Sequence, residues 1–194
     1  DGRTLLYATV DDSGSHLVVT DLDGQPQQEL TSFDERITFS ENADGDKVAY
    51  VLTNAAAPAN TLGSLYVVED DTLQTREISS DLVMAFHWSP DGQKLAYLTL
   101  ETAGNRLATR WHVWDGKKRT DYAAYVPSRT YLENYLPFFD QYALSHRMWS
   151  PDSTAFVFAG ALTSGERGVW VQPIENGEAP VNVGPGVMAT WSPR

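Results

Sequence analysis

The chain contains no cysteine. That removes disulfides, thiolate nucleophiles and cysteine-based zinc or iron–sulfur sites together. It leaves the compartment open, because a cysteine-free chain folds equally well under oxidising or reducing conditions. Positive charge is also scarce: 14 Lys and Arg face 26 Asp and Glu, a formal net charge of -12. A nucleic acid or an anionic membrane surface would meet a repulsive field with no basic stripe to offset it, so neither is expected as a partner. The acidic excess itself serves solubility. No stretch approaches the ~20 apolar residues of a membrane helix. The longest apolar runs are strand-sized, such as Leu82-Val83-Met84-Ala85-Phe86, so no direct membrane insertion is expected. No signal peptide is visible, and Asp1-Gly2-Arg3-Thr4 reads as the middle of a repeat.

Catalytic motifs are missing too. The histidines are His16, His87, His112 and His146; none forms a helical i, i+4 pair, and no Gly-x-Ser-x-Gly supplies an exposed nucleophile elbow. Asp21-Leu22-Asp23-Gly24 and Asp44-Gly45-Asp46 lack the alternating oxygen ligands and distant glutamate of a calcium loop, and read as hairpin turns. Glycoside chemistry needs two carboxyls across a sugar. Nothing in the sequence places Asp11-Asp12, Glu69-Asp70-Asp71, or Glu133 with Asp140, in that relation. No catalytic residue, metal site or cofactor is expected.

What the sequence does contain is a repeat. Phe86-His87-Trp88-Ser89-Pro90-Asp91-Gly92-Gln93-Lys94-Leu95-Ala96-Tyr97-Leu98 is the clearest copy, and Met148-Trp149-Ser150-Pro151-Asp152-Ser153-Thr154-Ala155-Phe156-Val157-Phe158 is a second. A degenerate copy spans Phe39 to Val51, with Phe39 in the tryptophan place and an insertion before Asp44-Gly45. The fourth is split between Trp191-Ser192-Pro193 and Asp1-Gly2-Arg3-Thr4-Leu5-Leu6-Tyr7. Proline presets φ, aspartate bonds nearby backbone N–H groups and glycine accepts positive φ, so each Pro-Asp-Gly makes a tight turn between strands. Further strands follow, several running into Asp23-Gly24, Asp115-Gly116 or Asn176-Gly177, pairs suited to two-residue hairpins. The turn aspartates Asp1, Asp44, Asp91 and Asp152 lie 43, 47 and 61 residues apart. Four antiparallel strands per period of about 40–45 residues describe a propeller blade. The expected fold is an all-β β-propeller with four recognisable four-stranded blade repeats, approximate units 1–40, 41–89, 90–150 and 151–194, forming part of a larger ring.

Trp-Ser-Pro-Asp-Gly followed by an apolar strand, and then a strand ending in Asp-Gly, resembles the TolB-type, WD-repeat-like propeller repeat. The resemblance implies a six- to eight-bladed ring, mostly in exported, periplasmic or extracellular bacterial proteins that bind other proteins. It also covers the propeller half of prolyl-oligopeptidase-like serine peptidases, and some relatives degrade pectin fragments. The departures are Ser153 for glycine, the missing Ser-Pro before Asp44, and Arg194 where a turn aspartate would stand.

One segment breaks the period, an aromatic-rich insertion at about 118–145. It holds Tyr122, Tyr125, Tyr131, Tyr135, Phe138, Phe139 and Tyr142. Ser128 is positioned to cap a short helix and Pro137 to open another. Insertions of this kind map to one face of a propeller, often the binding face, so these aromatics form the candidate partner surface; sealing a blade edge or plugging the channel is the competing role. His87, His146 and Arg147, near the repeat tryptophans, are candidate channel-lining residues. The expected function is a non-catalytic protein-binding or scaffolding propeller within a larger, exported protein. The alternative is a propeller domain of a serine peptidase or sugar-degrading lyase whose catalytic residues lie outside this chain.

Overall fold

The computed structural model describes residues 4–34, 36–53, 63–69, 72–103, 106–143, 145–175 and 177–192. The expected half-turns at residues 1–3 and 193–194, and the expected turn residue Asn176, lie outside the described residues. Strands β1 (Thr4–Asp11), β2 (Gly14–Asp21) and β3 (Pro26–Phe33) form one antiparallel meander, and β4 (Arg36–Glu41), β5 (Lys47–Thr53), β6 (Leu65–Glu69) and β7 (Thr75–Ser79) form a second. The third unit is β8 (Val83–Trp88), β9 (Leu95–Ala103), β10 (Arg106–Trp114) and β11 (Arg119–Asp121). A short strand, β12 (Tyr125–Pro127), precedes β13 (Ala155–Leu162), β14 (Arg167–Pro173) and β15 (Val181–Gly184). Sheets break after Phe33 and Ser79, not at 40 and 89, because a sheet begins with the strand before the repeat turn.

Alternation along β5 shows how the sheets stack. Val48 and Tyr50 point into a small core with Leu17 and Leu30 from the first sheet, whereas Ala49 and Val51 point into the main core with Val83 and Ala85 of the third. Both faces of a middle sheet are therefore spent on packing, as period-2 side-chain geometry requires for stacked blades. At about 1.5–3 kcal/mol per fully buried aliphatic side chain, this contact between sheets is the main cohesive term.

The repeat turns are built alike. Ser89 N–H and Ser150 N–H donate to the carbonyls of Lys94 and Ala155, and Gly92 N–H and Ser153 N–H donate back to Ser89 and Ser150. In the degenerate copy Asn42 makes the same bonds, to Lys47 O and from Gly45 N–H, and its Oδ1 accepts from Asp46 and Lys47 N–H at 3.1 Å. Asn42 is thus the counterpart of Ser89, and Glu41, not Phe39, stands in the tryptophan place. No residue is inserted before Asp44: an amide oxygen satisfies the same N–H groups as a serine hydroxyl, so the turn keeps its length. Trp88 donates its indole N–H to Ser40 O at 3.0 Å and Trp149 donates to His87 O at 3.1 Å. In this register each tryptophan pins its sheet to the same backbone position of the sheet before it.

Two expectations about the ends change. The first strand of the fourth unit shrinks to a bridge between Trp149 and Phe156. The half of the split fourth copy at Trp191 has no strand leading into it, since Val187 to Trp191 form none; Trp191 N–H instead donates to Arg147 O at 2.8 Å. No strand pairing joins β13–β15 to β1–β3 among the described residues. The insertion also alters the sheets: β12 pairs with β10 at Thr109–Tyr125 and with β13 from Tyr125–Leu162 to Pro127–Gly160, stitching the third and fourth units into one eight-stranded sheet. Gly160 permits this, because a Cβ there would lie 2.3 Å from Val126 O.

Candidate functional site

After β12 the chain turns into a helical strap over the inner strands. Ser128 Oγ accepts the N–H of Tyr131 at 3.1 Å, the expected cap, and opens a π-helical turn, Tyr131–Tyr135. A 3₁₀ turn, Leu136–Phe138, carries Pro137 and leads into α1, Phe139–Tyr142. The strap divides the candidate aromatics by depth. Tyr122, Tyr125, Tyr131, Tyr135 and Phe139 are each at most 6% exposed and belong to the main core. Their rings are packed on Phe156, Phe158, Phe86 and one another, and burial pushes the Tyr122 hydroxyl up to about 12. These five rings face the core and do not form an outer surface. Phe138, at 45% exposure, and the half-buried Tyr142 remain on the outside.

Between α1 and the turn ends of β4 and β8 lies a pocket of about 500 Å³. Phe39, Phe86, Trp88, Phe139, Met148 and Trp149 supply its apolar wall, and Glu41, Asp140 and Arg147 its charges. His87 also lines it. That imidazole is 6% exposed among Trp111, Tyr135 and Phe139, its Nε2 has no hydrogen-bond partner, and burial holds it neutral by lowering its pKa to about 4. Arg147 is exposed and makes no ion pair among the described residues. The structure therefore brings two of the three candidate channel residues together. His146 is separated from them: its N–H bonds back to Tyr142 O at 2.8 Å, and its ring lies against Tyr142 and Tyr135. Neither His146 nor Arg147 lies on a strand; the strap's tyrosines hold the His146 ring, whereas Arg147 lines the pocket.

A further polar constellation, without a motif in the sequence, joins three strands. Across the β9–β10 hairpin, Thr99 Oγ1 lies 2.9 Å from His112 Nε2, and His112 Nδ1 lies 2.8 Å from Asp121 Oδ1. Arg119 pairs with Asp121 at 2.8 Å and with Asp81 at 3.2 Å. Hydroxyl, imidazole and carboxylate follow the order of a nucleophile relay, yet Thr99 and His112 are each 3% exposed and His112 stacks on Tyr97. A hydroxyl closed off in this way cannot meet a substrate, so the array works as a polar pin, with Arg119 tying β11 to the connection before β8. Nothing in the residue spacing signals it, since the three side chains meet only through strand register. Among the described residues no three His, Asp or Glu side chains converge to hold a metal ion, and no helix is long and apolar enough to cross a membrane.

Stacked antiparallel meanders, two of them pinned to the preceding sheet by a tryptophan, match known propeller structures. Tricorn protease superposes with a TM-score of 0.63 at 13% identity over 96% of this chain and 21% of its own. TolB from Acinetobacter baumannii matches with 0.50 at 18% over 90% and 40%, and an oligogalacturonate lyase in complex with manganese with 0.56 at 15% over 88% and 42%. The fold is a β-propeller. No family model and no curated protein sequence matches the chain. The chain spans about a fifth to two fifths of the length of these three structures.

Proposed function

We propose that this chain is the binding module of a larger, extracytoplasmic propeller protein, and that its binding face is the mouth of the pocket between the strap and the inner strands. The observation carrying this reading is the pocket itself: about 500 Å³, largely aromatic, with a few charged groups at its edge, the usual make-up of a ligand site. Phe138 and Tyr142, on the same short helical stretch as the pocket's Phe139 and Asp140, add exposed ring surface beside it, their rings 6.4 Å apart and edge-on. A protein partner presenting an apolar side chain fits this face. Such chemistry asks for no catalytic group from the chain, and the enclosed Thr99–His112–Asp121 array offers none.

A photo-reactive amino acid at position 138, compared with one at the exposed Leu107, tests the reading in the parent protein. Adducts to a discrete partner at 138, reduced by Arg147→Glu and absent at 107, are expected. Equal adducts at both positions, or adducts unaffected by Arg147→Glu, would place the binding face elsewhere. Hydrolysis or elimination by the parent protein, lost with residues outside this chain, would favour the enzyme-associated propeller instead.

A further inference from the structure

We infer that the pocket accepts a zwitterionic ligand with an apolar side chain, of the class of a short hydrophobic peptide with free termini. The inference rests on the pocket being a binding site and goes on to name what it takes. Its charges are mixed, Asp140 and Glu41 with Arg147, around a wall that includes Trp88, Phe139 and Met148. A simple anion would be drawn to Arg147 but opposed by the two carboxylates and by the net charge of -12. A simple cation would meet the guanidinium. A ligand carrying both signs is neutral in the overall field and uses both. Arg147 is suited to its carboxylate, since a guanidinium presents a planar fork of donors, and Asp140, exposed and without an ion pair among the described residues, is suited to its ammonium.

Calorimetric titration of this chain with the dipeptide Phe-Leu, its N-acetyl form and its C-terminal amide tests the inference. Phe-Leu is expected to bind with Kd at or below about 1 mM, and blocking either terminus to weaken it about tenfold. Arg147→Gln should weaken Phe-Leu about tenfold and leave the amide unchanged, whereas Asp140→Asn should weaken Phe-Leu and leave the N-acetyl form unchanged. Both positions are exposed, so both variants should melt like the parent. Blocked and free peptides binding equally would overturn the zwitterion assignment while keeping an apolar site. Cross-linking at position 138 with no dipeptide binding would overturn it and keep the protein-binding reading.

Discussion

Ser153 shows how one substitution changes meaning once its neighbours are known. It replaces the turn glycine and keeps the glycine's left-handed backbone, φ 59 beside Gly92's φ 67, at a position where a side chain costs about 1–2 kcal/mol. Its hydroxyl offsets that cost by accepting Asp91 N–H of the preceding unit's turn at 3.0 Å. Ser153→Ala should therefore lose about 1–2 kcal/mol in urea unfolding, while Ser153→Gly, which relieves the backbone as it breaks the bond, should be close to neutral. His87 makes the pH prediction. Its folded pKa of about 4 lies below the unfolded 6.5, so the unfolded state takes up the proton first. Stability falls as pH drops from about 6.5 to about 4, by about 3 kcal/mol in all, and His87 contributes no further loss below that. Melting curves of His87→Phe should show a shallower slope across that window. The variant keeps the part due to His112, whose pKa burial also lowers against the opposing pull of Asp121.

At the scale of elements, turns and strands were legible because each depends on a few adjacent residues with fixed jobs. Phe39 shares with the repeat tryptophans only its aromatic ring; the turn glycines Gly45 and Gly92 set the register, and Asn42 corresponds to Ser89 because both stand three residues before the glycine. The strap was legible as an interruption, but its depth was not. Tyr135 and Phe138 carry similar rings three residues apart, and only the helical turn decides that one is buried and the other exposed. Tyr135→Ala and Phe139→Ala should each cost about 3–5 kcal/mol and lower the melting temperature by about 10 °C, with Phe138→Ala nearly silent in differential scanning calorimetry. The two pinning tryptophans should differ in the same way. Trp149 is 3% exposed and Trp88 is only half-buried, so Trp149→Ala should destabilise more than Trp88→Ala, and Trp149→Phe, which only strands the carbonyl of His87, by about 1–2 kcal/mol.

For the whole molecule, stacking consumes both faces of the middle sheets, and the strap encloses beside them a pocket where aromatic wall and charge meet solvent. The pocket combines Glu41 from β4, Trp88 from β8 and Asp140 from α1, residues almost a hundred positions apart, which is why no motif announced it. Because the chain has no cysteine, a single introduced thiol reports access to this site without background. Ala143→Cys, on the pocket wall, should react readily with a small methanethiosulfonate and slowly with a bulky maleimide, whereas Phe138→Cys on the outer surface should react with both. Resistance of the thiol at position 143 to both reagents in the folded protein would mean that the pocket is closed in solution, and would contradict the account of it as a binding site.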